Sequence, residues 1–339
     1  MKRLTPLHLA ATLALLALGL GVVLAFGVAV GPSGLALGEV WAALNGRASG
    51  AAADIVLSVR VPRVALAAAV GAALAVAGVV FQALLRNPLA DPYVLGVSGG
   101  AALGGIAVLT LGGTVGLGYG AVPPAAFAGA IGALLLLLFV AGPAGRVSTT
   151  SLLLIGVVFN AFASAAIVFL ASLAGLAEGA QVFLWLIGSL ADARPALVGW
   201  VGACVVAGLL AVAPFARALD LLALGEDSAA LLGIDAGRAR RWLLLASSLL
   251  VGAAVSAAGL VGFVGLVVPH ALRLVLGPDH RLLVPASALA GAAFLVVCDT
   301  LARSMLGGRE LPVGALTALA GGPFFLLLVR RSQARGLRA

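Results

Sequence analysis

What most constrains this chain is a succession of nine apolar runs, each about as long as the roughly twenty residues a helix needs to cross a hydrocarbon core. They lie near residues 7–30, 64–85, 94–111, 121–141, 151–177, 195–216, 242–258, 282–300 and 311–329. Lipid offers no partner to a free N–H or C=O. Such a chain therefore folds as spanning helices, with irregular backbone only where it lines a cavity or meets a surface. The composition agrees: 63% of the 339 residues are hydrophobic and 9% are charged, against about a quarter charged in soluble domains. With a mean hydropathy of +1.22, the expected fold is an all-α polytopic membrane protein forming a single transmembrane domain over residues 1–339.

A tenth span is suggested between Trp242 and Leu272, a charge-free stretch too long for one crossing and too short for two. One full helix followed by a short one over Leu266–Leu276, broken at Gly259, Gly262 and Gly265, is one reading; a single long tilted helix with packing glycines is the other. Interrupted helices of the first kind line transport pathways in many carriers. The first run follows Lys2 and Arg3 as a signal peptide would, but its apolar core outlasts a signal h-region and GPSGLALGEV offers no convincing A-x-A site, so it is expected to be retained. With ten crossings and an inner N-terminus, Arg47, Arg60, Arg63, Arg194, Arg303 and Arg309 fall outside, leaving fourteen of the twenty Lys and Arg inside. That asymmetry satisfies the positive-inside rule and puts both termini in the cytoplasm, in a bacterial inner membrane. The net charge of +8 is a topology signal and not a nucleic-acid footprint.

Between Arg86 and Gly105 the chain reads RNPLADPYVLGVSGGAALGG, a polar elbow broken by Pro88 and Pro92 between two apolar stretches. Broken backbone at this place points to a protein that moves something across the membrane. Within it Asn87 suits an Asx-type turn. Ser98 with His270 resembles a nucleophile and base only weakly, since a Gly-Ser-Gly run at a helix start serves close packing.

The residues that are missing narrow the mechanism. Phosphate-cradling loops of the Walker type need a lysine, and the only lysine is Lys2. ATP hydrolysis must then come from a partner, with ATP and Mg bound there and no cofactor in this chain. Ion-coupled carriers bury carboxylates or histidines in their spans, and here only Asp299, near an outer end, qualifies. No pair among Cys204, Cys298, His8, His270 and His280 has metal-ligand spacing.

The one long inner loop, residues 214–241, is neither a span nor a floppy linker. Residues 218–224 make about two turns, Gly225 can stop them, Glu226 and Asp227 suit the positive end of a second helix, and Gly233 can stop that one. Two such helices would present Leu221, Leu222, Leu224, Leu231 and Leu232 as an exposed apolar knob, which calls for a protein partner or for the membrane surface.

Six segments in order, RVPR (60–63), QALLRNPLADPYVLGVSGGAALG (from Gln82), ALGEDSAALLG (223–233), GLVGFVGLVVPHALRL (259–274), DHRLLVPASALAGA (279–292) and ELPVGALTALAGGPFF (310–325), make the chain resemble the FecCD-type permeases of ABC importers, which handle iron-siderophores, haem and vitamin B12. The resemblance implies about ten helices in two inverted five-helix halves, although the sequence itself does not display the repeat. It also implies a second permease copy, two cytoplasmic ABC ATPase subunits and a periplasmic or lipid-anchored binding protein. By position, Asn87 and Leu89 in the elbow and Thr149 and Thr150 at the start of the fifth span are similar to the family's cytoplasmic gate. Leu224, Gly225, Glu226, Leu231 and Gly233 match its coupling helices. Arg60, Arg63 and Arg303 match arginines that meet acidic residues of the binding protein, and are expected to reach the outer surface. Asn160, Ser164 and Thr317 are expected pathway lining. The rival reading is an ion-coupled secondary transporter, which would work without an ATPase.

Overall fold

Proline, glycine and capping side chains decide where the helices of this chain stop, and small residues decide how closely they assemble. The structure is a computed structural model describing residues 5–142, 149–306 and 310–336, with the side chains at 149, 176, 177, 327–329 and 331–336 outside that description. Helix α1 (Pro6–Ala29) begins where the Thr5 hydroxyl accepts from His8 N at 3.2 Å and Pro6 pre-sets the first turn. Two short helices, α2 (Leu37–Leu44) and α3 (Ala51–Asp54), follow, and α3 runs through a π-helical stretch, Ile55–Arg60, into α4 (Val61–Leu84). Next come α5 (Val97–Leu111), α6 (Val122–Ala141), α7 (Thr149–Leu173), α8 (Leu176–Leu186) and α9 (Pro195–Val212). The loop helices α10 (Ala216–Leu224) and α11 (Glu226–Leu231) precede α12 (Ala236–Ala258), α13 (Val264–Leu276), α14 (His280–Ser304) and α15 (Val313–Gly336). Asp235 and Asp279 cap α12 and α14 through their carboxylates.

Among the described residues eight helices are long and apolar enough to cross a membrane, and α13 and α15 are shorter apolar helices. Together they make the ten apolar helices expected. The stretch after Trp242 is broken, as the first of its two readings holds: α12 ends at Gly259 (φ +67°) and α13 restarts after Phe263 (φ +68°). The restart comes two residues earlier than expected, because Phe263 takes the left-handed conformation that glycine was expected to supply.

Helix α4 is the centre of the molecule, packed against α9, α12, α13 and α14, while α5 packs on α6 and α7 and α1 lies on α14. Its run of Ala, Val and Gly explains this position. Without a hydrophobic drive between helices in lipid, association depends on close van der Waals contact between small residues. A Cβ at Gly71 would collide with the Gly291 carbonyl of α14, one at Gly78 with the Gly265 carbonyl of α13, and one at Gly100 of α5 with the Gly129 carbonyl of α6. These seats fix which faces meet.

Candidate functional site

Helix α4 ends at Leu84, and the chain turns through Arg86 at φ +49°, one of two described non-glycine residues with positive φ. Asn87 makes the expected Asx turn, its Oδ1 accepting from Leu89 N at 2.9 Å. The Asp91 carboxylate caps the following turn by accepting from Tyr93 N at 2.8 Å, and Gly96 (φ +87°) launches α5. Burial pushes the Asp91 carboxyl above the usual carboxylate range, while the N–H groups of Tyr93 and Phe263 pull it back.

The elbow is fastened to the break between α12 and α13. The Tyr93 hydroxyl donates to Val261 O and accepts from Val261 N, both at 2.8 Å. Gln82 Nε2 donates to Gly265 O and Leu266 O at 3.2 Å, and His270 Nδ1 lies 3.3 Å from Pro88 O. Two interrupted stretches thus satisfy each other's backbone, as buried non-helical chain requires. Tyr93 and Gln82 are the residues of this junction that the sequence did not single out. Their only signal was a tyrosine and a glutamine at the edges of the elbow, and neither type announces its partner.

The expected gate residues divide. Asn87 and Thr150 are exposed, Leu89 is partly buried, and Thr149 begins α7 with its side chain outside the described residues. Helix α7 is pressed on the elbow, since a Cβ at Gly156 would meet the backbone of Val94 and Leu95. Of the expected lining residues, Asn160 is part of this junction, with Nδ2 donating to Tyr93 O at 2.9 Å. Ser164 lies one turn further on and is exposed. Thr317 is fully buried and its hydroxyl donates to Gly314 O at 3.0 Å, so in this chain it serves its own helix.

Helices α10 and α11 meet at Gly225, whose φ of 128° and ψ of 154° belong to glycine. Gly233 (φ +82°) ends the second turn as expected. The knob is smaller than expected. Leu224, Leu231 and Leu232 are 72%, 88% and 65% exposed, but Leu222 is buried in the core and Leu221 packs against it. The reason is helical period: with α10 lying against α4, one of its faces must point inward. Glu226 is ion-paired with Arg240 of α12, and Asp220 Oδ1 accepts from His280 N at 3.0 Å.

At the other end of α4 the expected outer arginines are not free, which corrects the expectation that they reach the surface. Arg60, Arg63 and Arg303 are only 3%, 7% and 3% exposed. Arg63 Nε donates to both Asp299 oxygens at 3.0 and 3.2 Å, and its Nη1 donates to Glu310 at 2.8 Å. Arg303 also pairs with Asp299 and donates to Gly27 O, while Arg60 donates to Val28 O and Ala29 O at 2.9 and 2.8 Å. The physical reason lies in α1. Its last carbonyls have no intrahelical partner, and guanidinium groups at a helix C-terminus supply both donors and favourable charge. Among the described residues no three His, Cys, Asp or Glu side chains converge as a metal site.

Comparison with known proteins follows this geometry. The profile of the FecCD transport family matches residues 18–331. The chain is 46% identical over 283 residues to the cobalamin import system permease protein of Halobacterium salinarum, covering 84% of this chain and 75% of that one. It is 40% identical over 324 residues to the hemin transport system permease protein of Yersinia pestis, covering 92% and 93% of the two chains. A solved metal-chelate type ABC transporter in an inward-facing conformation superposes with a TM-score of 0.82 at 28% identity, over 95% of this chain and 99% of that one.

Proposed function

Because the chain belongs to the FecCD transport family, we propose that it is the membrane-spanning permease of an ABC importer, carrying an iron chelate, haem or cobalamin from a binding protein to the cytoplasm. The names of its relatives support that cargo class, since they include a cobalamin and a hemin permease. The observation that carries the reading is the knob. Three exposed leucines sit at the tip of two short helices, in a chain with no lysine beyond Lys2 for a nucleotide loop. A partner ATPase that receives this knob supplies the hydrolysis, with ATP and Mg bound on that subunit.

In this reading the elbow with Asn87 and Leu89, and the start of α7 with Thr149 and Thr150, form the cytoplasmic gate between two copies of the chain. Helix α7 supports a pathway between copies, because Ser164 lies exposed at the margin of a face whose Val157, Val158 and Phe162 are otherwise exposed and apolar, while Asn160 beside it is spent on the elbow. Polar groups are costly against lipid and cheap beside a wet cavity. The preponderance of arginines at the elbow end supports an inner-membrane protein with cytoplasmic termini. The binding protein docks at the opposite end, and the buried arginines there brace α1, α4 and α14 beneath it.

Reconstitution tests this. Purified chain in liposomes should hydrolyse no ATP and import nothing, and uptake should appear only with the ATPase inside and the loaded binding protein outside. Uptake driven by an ion gradient without the ATPase would overturn the reading in favour of a secondary carrier. Mass spectrometry of the ligand held by the binding protein then identifies the chelate.

A further inference from the structure

A cleft of about 500 Å³ opens beside the elbow, lined by Gln82, Arg86, Pro88, Asp220, Arg273 and His280 together with Ala223, Pro278 and Asp279. It is bounded by the end of α4, the elbow, α10 and the turn from α13 into α14. Its lining carries two arginines and two aspartates, but the carboxylates are not spent on the arginines. Asp220 is engaged by His280 through N and Nδ1 at 3.0 and 2.6 Å, and Asp279 is held by Arg281 at 2.6 Å. Arg86 and Arg273 have no hydrogen bond or ion pair among the described residues, and Arg273 is partly buried. The walls also hold unspent polar atoms. Gln82 and His280 are 2% and 3% exposed, and Gln82 Oε1 and His280 Nε2 lack partners among the described residues.

Buried polar atoms such as Gln82 Oε1 and His280 Nε2 are unfavourable until something satisfies them, and the two guanidinium groups beside them are free to bind an anion. Two guanidinium forks converge best on the oxygens of a phosphate or carboxylate. The orientation of Gln82 adds a second requirement. Its Nε2 is used on Gly265 O and Leu266 O, so Oε1 accepts and asks the ligand for an O–H or N–H. Chloride can meet the guanidinium groups but offers Oε1 no proton, and the volume exceeds what a monatomic ion fills.

We propose that this cleft is a binding site for a small cytoplasmic oxyanion, a phosphate- or carboxylate-bearing solute, held by Arg86 and Arg273 with Gln82 as acceptor. The binding stands on the cleft alone. Its consequence rests on the permease reading: the Arg86 guanidinium approaches Gly225, with Nη1 3.6 Å from where a Cβ would stand there, so an occupant would tie the elbow to the α10–α11 joint and report cytoplasmic conditions to the gate.

Thermal unfolding of the purified full chain, titrated with sodium phosphate or citrate against sodium chloride at matched ionic strength, tests the binding. A ligand of the native state raises the midpoint saturably. At least one of the two anions should do so with wild type, and its apparent affinity should weaken about tenfold or more in Arg273→Gln and in Arg86→Gln, the loss expected for one charge-assisted bond. Arg273→Lys should recover part of it. Arg217→Gln removes an equal charge from α10 outside the cleft and should leave the titration unchanged. A rise that is the same in all variants, or no saturable rise with either anion, would overturn the site.

Discussion

Gly225 is the residue on which transmission through the knob should depend. Its φ and ψ lie where only glycine is comfortable, while a Cβ there would find ordinary space beside Arg86 and Ser228. Gly225→Val should therefore cost about 1–3 kcal/mol of backbone strain confined to the joint. The expected outcome is a folded chain whose coupled ATP hydrolysis with its ATPase partner falls; an unchanged coupled rate would remove the joint as the docking element. At the other end, Asp299 is shared by Arg63 and Arg303 in a buried setting. Asp299→Asn should destabilise by about 3–5 kcal/mol because two guanidinium groups lose their carboxylate. Glu310 is half-exposed, and Glu310→Gln should cost about 1 kcal/mol or less. Unfolding midpoints in detergent check that order. The arginines were legible in sequence as charges at span ends, but their partners were not. Arg63 and Asp299 stand 236 positions apart, and nothing local in either segment announces a partner at that distance.

Elements were more legible than contacts. The length of the charge-free stretch after Trp242 raised the extra helix beside a single tilted one, and Gly225 with Gly233 disclosed the two loop helices, because a glycine stop is a local property of the backbone. What escaped was anything depending on tertiary fit. Phe263 restarts α13 in a left-handed conformation without a sequence signal, and Leu222 turns inward because α10 lies on α4. Helix α8 passed unread although it seats the break: a Cβ at Gly259 would strike the Trp185 carbonyl, and Ser189 N donates to Ala258 O at 2.9 Å. The bond between elbow and break can be tested by itself. Tyr93→Phe leaves the ring and removes both links to Val261, leaving backbone groups unpaired at a cost of about 1–3 kcal/mol. Amide exchange at 259–263 should quicken and import should slow while assembly persists; unaltered exchange would show that packing alone holds the two stretches together.

For the whole molecule, the elbow and the α10–α11 joint share one end of α4 and the buried arginines hold the other, so α4 is the element that joins the two ends. If the gate lies between copies, single cysteines at Thr150, which is exposed and spares the Asn87 turn, should cross-link in the assembled importer to a degree that changes with nucleotide. Cross-linking indifferent to nucleotide would make that contact static. The glycine seats on α4 then set how such motion is possible at all. Gly71 rests against the Gly291 carbonyl of α14 and Gly78 against the Gly265 carbonyl of α13, so closely that a shift of one residue along the axis would drive a side-chain carbon into backbone. A slide of α4 past its neighbours is therefore opposed by backbone on two sides, whereas a tilt about those points is opposed least. Any tilt of α4 would then be smallest at these two glycines near mid-length and would grow toward the elbow and the arginine cluster at its two ends.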